Sequence, residues 1–94
     1  MAIHINSYAL MARGYKLIAV YDLFDKGQWS EERQKYFWDH STVKCFKNDD
    51  LNKLVVRYVS GRGSIWDDVY TERDDANWKV QHYLDGCTFY KRRL

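Results

Sequence analysis

The sequence predicts an α+β fold in which N-terminal helices pack on a C-terminal antiparallel sheet of about three to four strands. Apolar residues recur at helical spacing near the N-terminus, whereas the C-terminal half alternates in steps of two. The chain has 94 residues, 46% of them hydrophobic, and no proline. A chain of this size and composition builds one core, so we predict a single domain over residues 1–94 and exclude intrinsic disorder.

Residues 7–26 support two interpretations. Apolar side chains recur every three or four positions, which predicts a helix, and Gly27 follows where a glycine cap would end it. The β-branched residues in the same segment instead favour a hairpin of strands 3–10 and 15–24. The residues alone leave both interpretations open.

A second helix is predicted over residues 30–42. Ser30 is a favourable N-cap, and Glu31 and Glu32 place negative charge in the first turn, where the helix dipole stabilises it. Phe37 and Trp38 belong to its apolar stripe.

The C-terminal half is predicted to form strands. Residues 54–59 suit an inner strand, and the turn 60–63 leads to a strand over 64–71. Asp85-Gly86 predicts a two-residue hairpin turn, since both central positions of a type I′ turn need positive φ. The hairpin would have a core face of Trp78, Val80, His82, Leu84, Cys87 and Phe89 and a surface face of Lys79, Gln81, Tyr83, Thr88, Tyr90 and Arg92.

Histidine and cysteine recur with one spacing, His40 with Cys45 and His82 with Cys87, which are the ligand types that zinc accepts. Neither pair matches the usual zinc knuckle, and five positions along a helix would point His40 away from Cys45. Asp39 and His40 likewise diverge on a helix, so no nucleophile and base come together. We predict buried thiols, no metal, no cofactor and no enzymatic activity.

Two further motifs predict structure more than chemistry. Asp67, Asp68, Glu72, Asp74 and Asp75 lack the order of a calcium loop and predict a solvated strand edge that discourages sheet pairing. Gly61-Arg62-Gly63 lacks the helix that a phosphate-binding loop requires and predicts a turn.

Charge is divided along the chain. The formal net charge is +2, but acids dominate residues 67–75 and bases dominate residues 79–94. Basic groups interleaved with tyrosines suit a protein hot spot or nucleic-acid stacking. We predict that the partner-binding residues are Lys79, Tyr83, Tyr90, Arg92, Arg93 and Arg62.

These features favour a small non-catalytic binder that acts as a stoichiometric inhibitor or accessory factor on a larger protein or nucleoprotein. A phage-encoded anti-defence protein such as an anti-CRISPR would fit this description. The alternatives are a nucleic-acid-binding protein that uses a basic-aromatic sheet face, and a sponge for a small nucleotide ligand, for which a homo-oligomer interface is one option. A homodimer is compatible with these interpretations. Two cysteines and the lack of a long apolar segment predict a cytoplasmic protein without membrane contact.

Overall fold

The computed structural model describes residues 5–24, 28–31, 34–37 and 40–94. This part of the chain forms two helices and seven strands. In chain order they are α1 (Ser7–Ala12), β1 (Lys16–Phe24), β2 (Gln28–Ser30), β3 (Lys35–Phe37), β4 (His40–Asn48), β5 (Lys53–Val59), β6 (Ile65–Tyr70), α2 (Arg73–Leu84) and β7 (Thr88–Lys91).

Five strands form one antiparallel sheet in the order β6-β5-β4-β1-β7, and β2 and β3 form a separate two-stranded sheet. Strands β4, β5 and β6 follow one another as a meander. Helix α2 then carries the chain from the edge strand β6 to the opposite edge, where β7 pairs with β1. Strand β7 therefore forms one edge of the sheet and lies next to β1, the first strand of the chain.

Each face of the sheet carries its own buried cluster. Under α2, side chains from β1, β4 and β5 pack against one stripe of the helix, namely Leu23, Val43, Cys45 and Val56 against Ala76, Val80 and Leu84. On the other face, Leu10 and Tyr15 from the segment that contains α1 pack against Phe46 of β4 and Val55 of β5. Neither helix of the described residues has the length and apolar content that crossing a bilayer requires.

The predicted architecture of N-terminal helices on a C-terminal sheet is wrong. The sheet begins at Lys16, it has five strands, and the longer helix lies near the C-terminus. Each interpretation of residues 7–26 was right in part. Ser7–Ala12 form the helix α1, and Lys16–Phe24 form a strand, as the hairpin interpretation predicted for residues 15–24. Asn6 accepts a hydrogen bond from the backbone N–H of Ala9 at 2.8 Å and caps α1. The β-branched segment then pairs across the sheet, so tertiary pairing outweighs the helical spacing.

The predicted helix over residues 30–42 is also wrong. Ser30 pairs with Lys35 in the β2–β3 ladder, and Gln34 has a φ of 52°, which a right-handed helix excludes. From His40 the chain is strand β4. Several residues used in the sequence interpretations lie outside the described residues, namely Ile3, Gly27, Glu32, Trp38 and Asp39.

The predicted hairpin at Asp85-Gly86 is wrong because the residues before it are helical. Ala76, Val80 and Leu84 are spaced by four and bury one stripe of α2, while Asp74 and Asp75 occupy its first turn. The hydrogen bond from Cys87 N–H to the carbonyl of Leu84 (3.1 Å) and the φ of 76° at Gly86 define a type II turn instead.

The central strand predictions are confirmed. Residues 54–59 lie in β5 and residues 65–70 form β6, joined by the predicted turn. Within that turn the backbone N–H of Ser60 donates to the carbonyl of Ser64 at 2.9 Å. This hairpin holds both strands at the β6 edge of the sheet.

Candidate functional site

The predicted partner-binding residues do not share one surface. Lys79 and Tyr83 lie one turn apart on α2, with the lysine Nζ 5.0 Å from the centre of the tyrosine ring. Tyr90 lies on β7, with Arg92 and Arg93 just after it. Arg62 lies in the turn between β5 and β6, and strands β4 and β1 separate it from β7.

Tyr83 contributes to packing. Its ring stacks on Tyr58 of β5 at 4.8 Å between centroids, with 15° between the ring planes. Burial, with further contributions from Asp68 and other neighbours, raises the pKa of Tyr83 to about 12. The Nζ of Lys79 also lies 3.6 Å from a carboxylate oxygen of Asp68 of β6. The ion pair and the stacked tyrosine therefore both join α2 to the β5–β6 side of the sheet.

Arg92 is held by an ion pair on the opposite face. Its Nε and Nη2 donate to the two carboxylate oxygens of Asp22 at 2.6 and 2.8 Å. These hydrogen bonds, with His40 Nε2 at 3.3 Å, hold the pKa of Asp22 below its usual range. Tyr90 faces Asp22 across the β1–β7 ladder and therefore lies on this face, away from Lys79 and Tyr83.

The division of charge along the chain becomes a division across the sheet. The acidic segment occupies the β6 edge and the start of α2, and the basic segment occupies the β7 edge. Two of the acids are paired, Asp67 with Arg57 and Asp68 with Lys79. At the basic edge, Lys91 and Arg93 form no ion pair with a described residue.

The first histidine–cysteine pair is separated by the sheet. His40 and Cys45 are five positions apart on β4 and lie on opposite faces of the sheet, because side chains alternate along a strand. His82 stacks on Trp78 on the exposed side of α2. Within the residues the structure describes, no group of three or more histidine, cysteine or acidic side chains could hold a metal ion.

An exposed aromatic cluster lies where α2 approaches β7. Trp78 is 66% exposed and stacks on His82 at 5.5 Å with 15° between the planes, and Phe89 of β7 is 49% exposed. With Gln81 and Leu84 these side chains line an open groove of about 500 Å³. We call these five residues the α2–β7 surface.

Sequence reasoning missed this surface because the predicted hairpin assigned Trp78, His82 and Phe89 to the core. The spacing by four of Ala76, Val80 and Leu84 could have indicated a helix instead. A helix with that buried stripe leaves Trp78 and His82 on its outer side. The spacing of the buried residues could therefore have predicted that Trp78 and His82 are exposed.

Strand β7 adds an open sheet edge beside this surface. All four of its residues are exposed, and β7 ends the strand order of the sheet. An edge strand presents backbone N–H and C=O groups that another chain can pair with. Phe89 and Lys91 alternate toward the α2 side, since they face Leu23 and Tyr21 of the covered face of β1.

Comparison with known proteins gives no family for this chain, because no family model, curated protein or solved structure matches it.

Proposed function

We propose that this protein is a non-catalytic module that binds a larger protein stoichiometrically through the α2–β7 surface. The observation that carries the proposal is the stacked, exposed pair of Trp78 and His82 beside exposed Phe89. Leaving large apolar rings in water costs free energy that burial against a partner recovers. Tryptophan is also among the residues that most often dominate binding energy at protein interfaces.

The open edge of β7 supports an extended partner segment. Such a segment can add to the sheet through main-chain hydrogen bonds and place alternate side chains into the neighbouring groove. Lys91 and Arg93 give this edge a positive charge. We therefore expect a partner segment that alternates apolar and acidic residues.

The nucleic-acid alternative has less geometric support. The basic-aromatic face that it needs would join Tyr83 and Tyr90, and these lie on opposite sides of the sheet. The guanidinium of Arg92 is also already engaged by Asp22. A phosphate would have to compete with that carboxylate.

The test is affinity capture from extracts of the source cells, with and without nuclease, followed by mass spectrometry and a stoichiometry measurement. The double variant Trp78→Ala/Phe89→Ala should weaken binding of the captured protein about 30-fold or more, since a hot-spot residue contributes about 2 kcal/mol or more. Tyr90→Ala is the matched control, because Tyr90 neighbours Phe89 in β7 but lies on the other face.

Two results would contradict the proposal. Loss of capture after nuclease treatment would assign the binding to nucleic acid. Equal capture by the wild type and the double variant, with circular dichroism showing both folded, would remove the α2–β7 surface from the interface.

A further inference from the structure

A second cavity lies between α2 and strands β1, β4 and β5, and it shares Gln81 with the α2–β7 surface. Helix α2 packs mainly on the β5–β6 side and leaves a cavity of about 430 Å³ over β1. Such a volume is within the range of small-molecule sites. The side chains at its base are apolar and include Ala19, Tyr21, Cys45, Val56, Ala76 and Val80.

The polar groups of this cavity are at its mouth. Arg73, Asn77 and Gln81 follow one another at intervals of four along α2, so they form one row along the helix. Lys91 of β7 lies across from them, with Nζ 5.6 Å from the centre of the Tyr21 ring. All four are exposed, whereas Cys45, Val56, Ala76 and Val80 are buried beneath them.

Two cationic side chains lie at the mouth of the cavity. Asp and Glu are missing from the described residues that line the cavity. Arg73 and Lys91 also form no ion pair with any described residue. The field of Lys91 reaches the cavity floor, where it partly opposes the effect of burial on the pKa of Cys45.

We propose that this cavity binds a small organic carboxylate with an apolar body, such as a medium-chain fatty acid. The apolar body lies over Cys45 and Val80, and the carboxylate lies at the mouth between Arg73 and Lys91. A guanidinium and a carboxylate form a strong bidentate pair, and the amides of Asn77 and Gln81 can donate further hydrogen bonds. A nucleotide fits less well, because its base and ribose would lie on a floor of apolar side chains.

The experiment is a titration of the ¹⁵N-labelled protein with decanoate, with decanol as the neutral control, followed by amide chemical shifts. Decanoate should give saturable shifts at Ala19, Cys45 and Val80, and decanol should bind at least 10-fold more weakly. Arg73→Gln/Lys91→Gln should weaken decanoate binding at least 10-fold. The matched control is Lys79→Gln, on the other flank of α2, which should leave the affinity unchanged.

Three outcomes would overturn the proposal. The first is the absence of saturable shifts at millimolar decanoate. The second is equal binding of decanoate and decanol, which would show that the charged mouth has no role. The third is saturable shifts centred on Trp78 and Phe89, which would place the ligand on the α2–β7 surface instead.

Discussion

Arg57 of β5 donates two hydrogen bonds to Asp67 of β6, from Nε to Oδ1 at 2.8 Å and from Nη2 to Oδ2 at 3.0 Å. The two side chains are 2% and 0% exposed, so this ion pair is buried between neighbouring strands. The guanidinium carbon also lies 5.8 Å from the centre of the Phe46 ring. Asp67 therefore has a structural role, although the sequence grouped it with solvated acids.

Removing one charge of this pair is predicted to destabilise the fold strongly. Asp67→Asn removes the carboxylate that the buried guanidinium of Arg57 contacts and should lower the free energy of unfolding by about 3–5 kcal/mol. Urea denaturation followed by circular dichroism measures the change. Asp68→Asn is the control, because Asp68 is partly exposed and its contact with Lys79 is worth about 1 kcal/mol or less. A loss for Asp67→Asn no larger than that of the control would contradict the prediction.

A pH-dependent loss of stability is predicted from Asp22. Hydrogen bonds from Arg92 lower the pKa of this carboxyl below its ordinary value of 3.8 in the folded protein. The stabilisation is therefore complete above about pH 4 and is lost as the pH falls through the lower, folded-state pKa. Asp22→Asn should cost about 1.5–3 kcal/mol at neutral pH and should make stability less steep below pH 4. Asp50→Asn, in an exposed turn, should keep the wild-type slope, and an unchanged slope in Asp22→Asn would refute the assignment.

Tyr83 and Tyr90 are predicted to behave differently when replaced by alanine. Tyr83 stacks on Tyr58 under α2, so Tyr83→Ala should lower the free energy of unfolding by about 3 kcal/mol. Tyr90 is 61% exposed, and Tyr90→Ala should change stability by less than about 0.5 kcal/mol. Thermal unfolding of both variants checks the difference. Similar losses would mean that the ring of Tyr83 is not part of the packed interface.

The parts of the fold that the sequence predicted are those where local and tertiary preferences agree. Strands β5 and β6 combine β-branched and aromatic residues with a glycine-containing turn, so pattern and pairing indicate the same structure. The prediction of a helix over 30–42 was wrong because sheet pairing outweighed the local signals, which are the cap at Ser30 and the acidic residues after it. Those signals report only local energies, whereas β4 also pairs with β1, a strand that is not its neighbour in sequence.

The candidate site was less predictable than the fold. The α2–β7 surface depends on which side of α2 meets the sheet, and a single wrong assignment of residues 73–84 inverted the exposure of Trp78. The ion pair of Arg92 with Asp22 joins residues 70 positions apart, which no local pattern reveals. Charge counting alone therefore treated Arg92 as available for binding.

The turn after α2 is predicted to need glycine at position 86. Gly86 has a φ of 76°, and an added Cβ would meet nothing within 4 Å, so the cost of Gly86→Ala is backbone strain alone. We expect a loss of about 1–2 kcal/mol, as for other L-residues in left-handed conformation. Gly86→Asn should lose less than Gly86→Ala, because asparagine tolerates this region. Chemical denaturation of the two variants gives the comparison, and equal losses would point to a cause other than φ.

Slow reaction of Cys45 with alkylating reagents is predicted from its position under α2. Burial raises the pKa of this thiol from 9.0 to about 11, and the charge of Lys91 only partly opposes that effect. Since the thiolate is the reactive form, two pKa units leave about 100-fold less of it at pH 8, and burial slows access further. In a Cys87→Ser chain, iodoacetamide should label native Cys45 at least about 100-fold more slowly than the same chain unfolded in guanidinium chloride. Lys91→Gln should slow the native reaction further because it removes a charge that favours the thiolate. Mass spectrometry of timed samples measures both rates, and equal labelling of native and unfolded protein would mean that α2 does not cover Cys45.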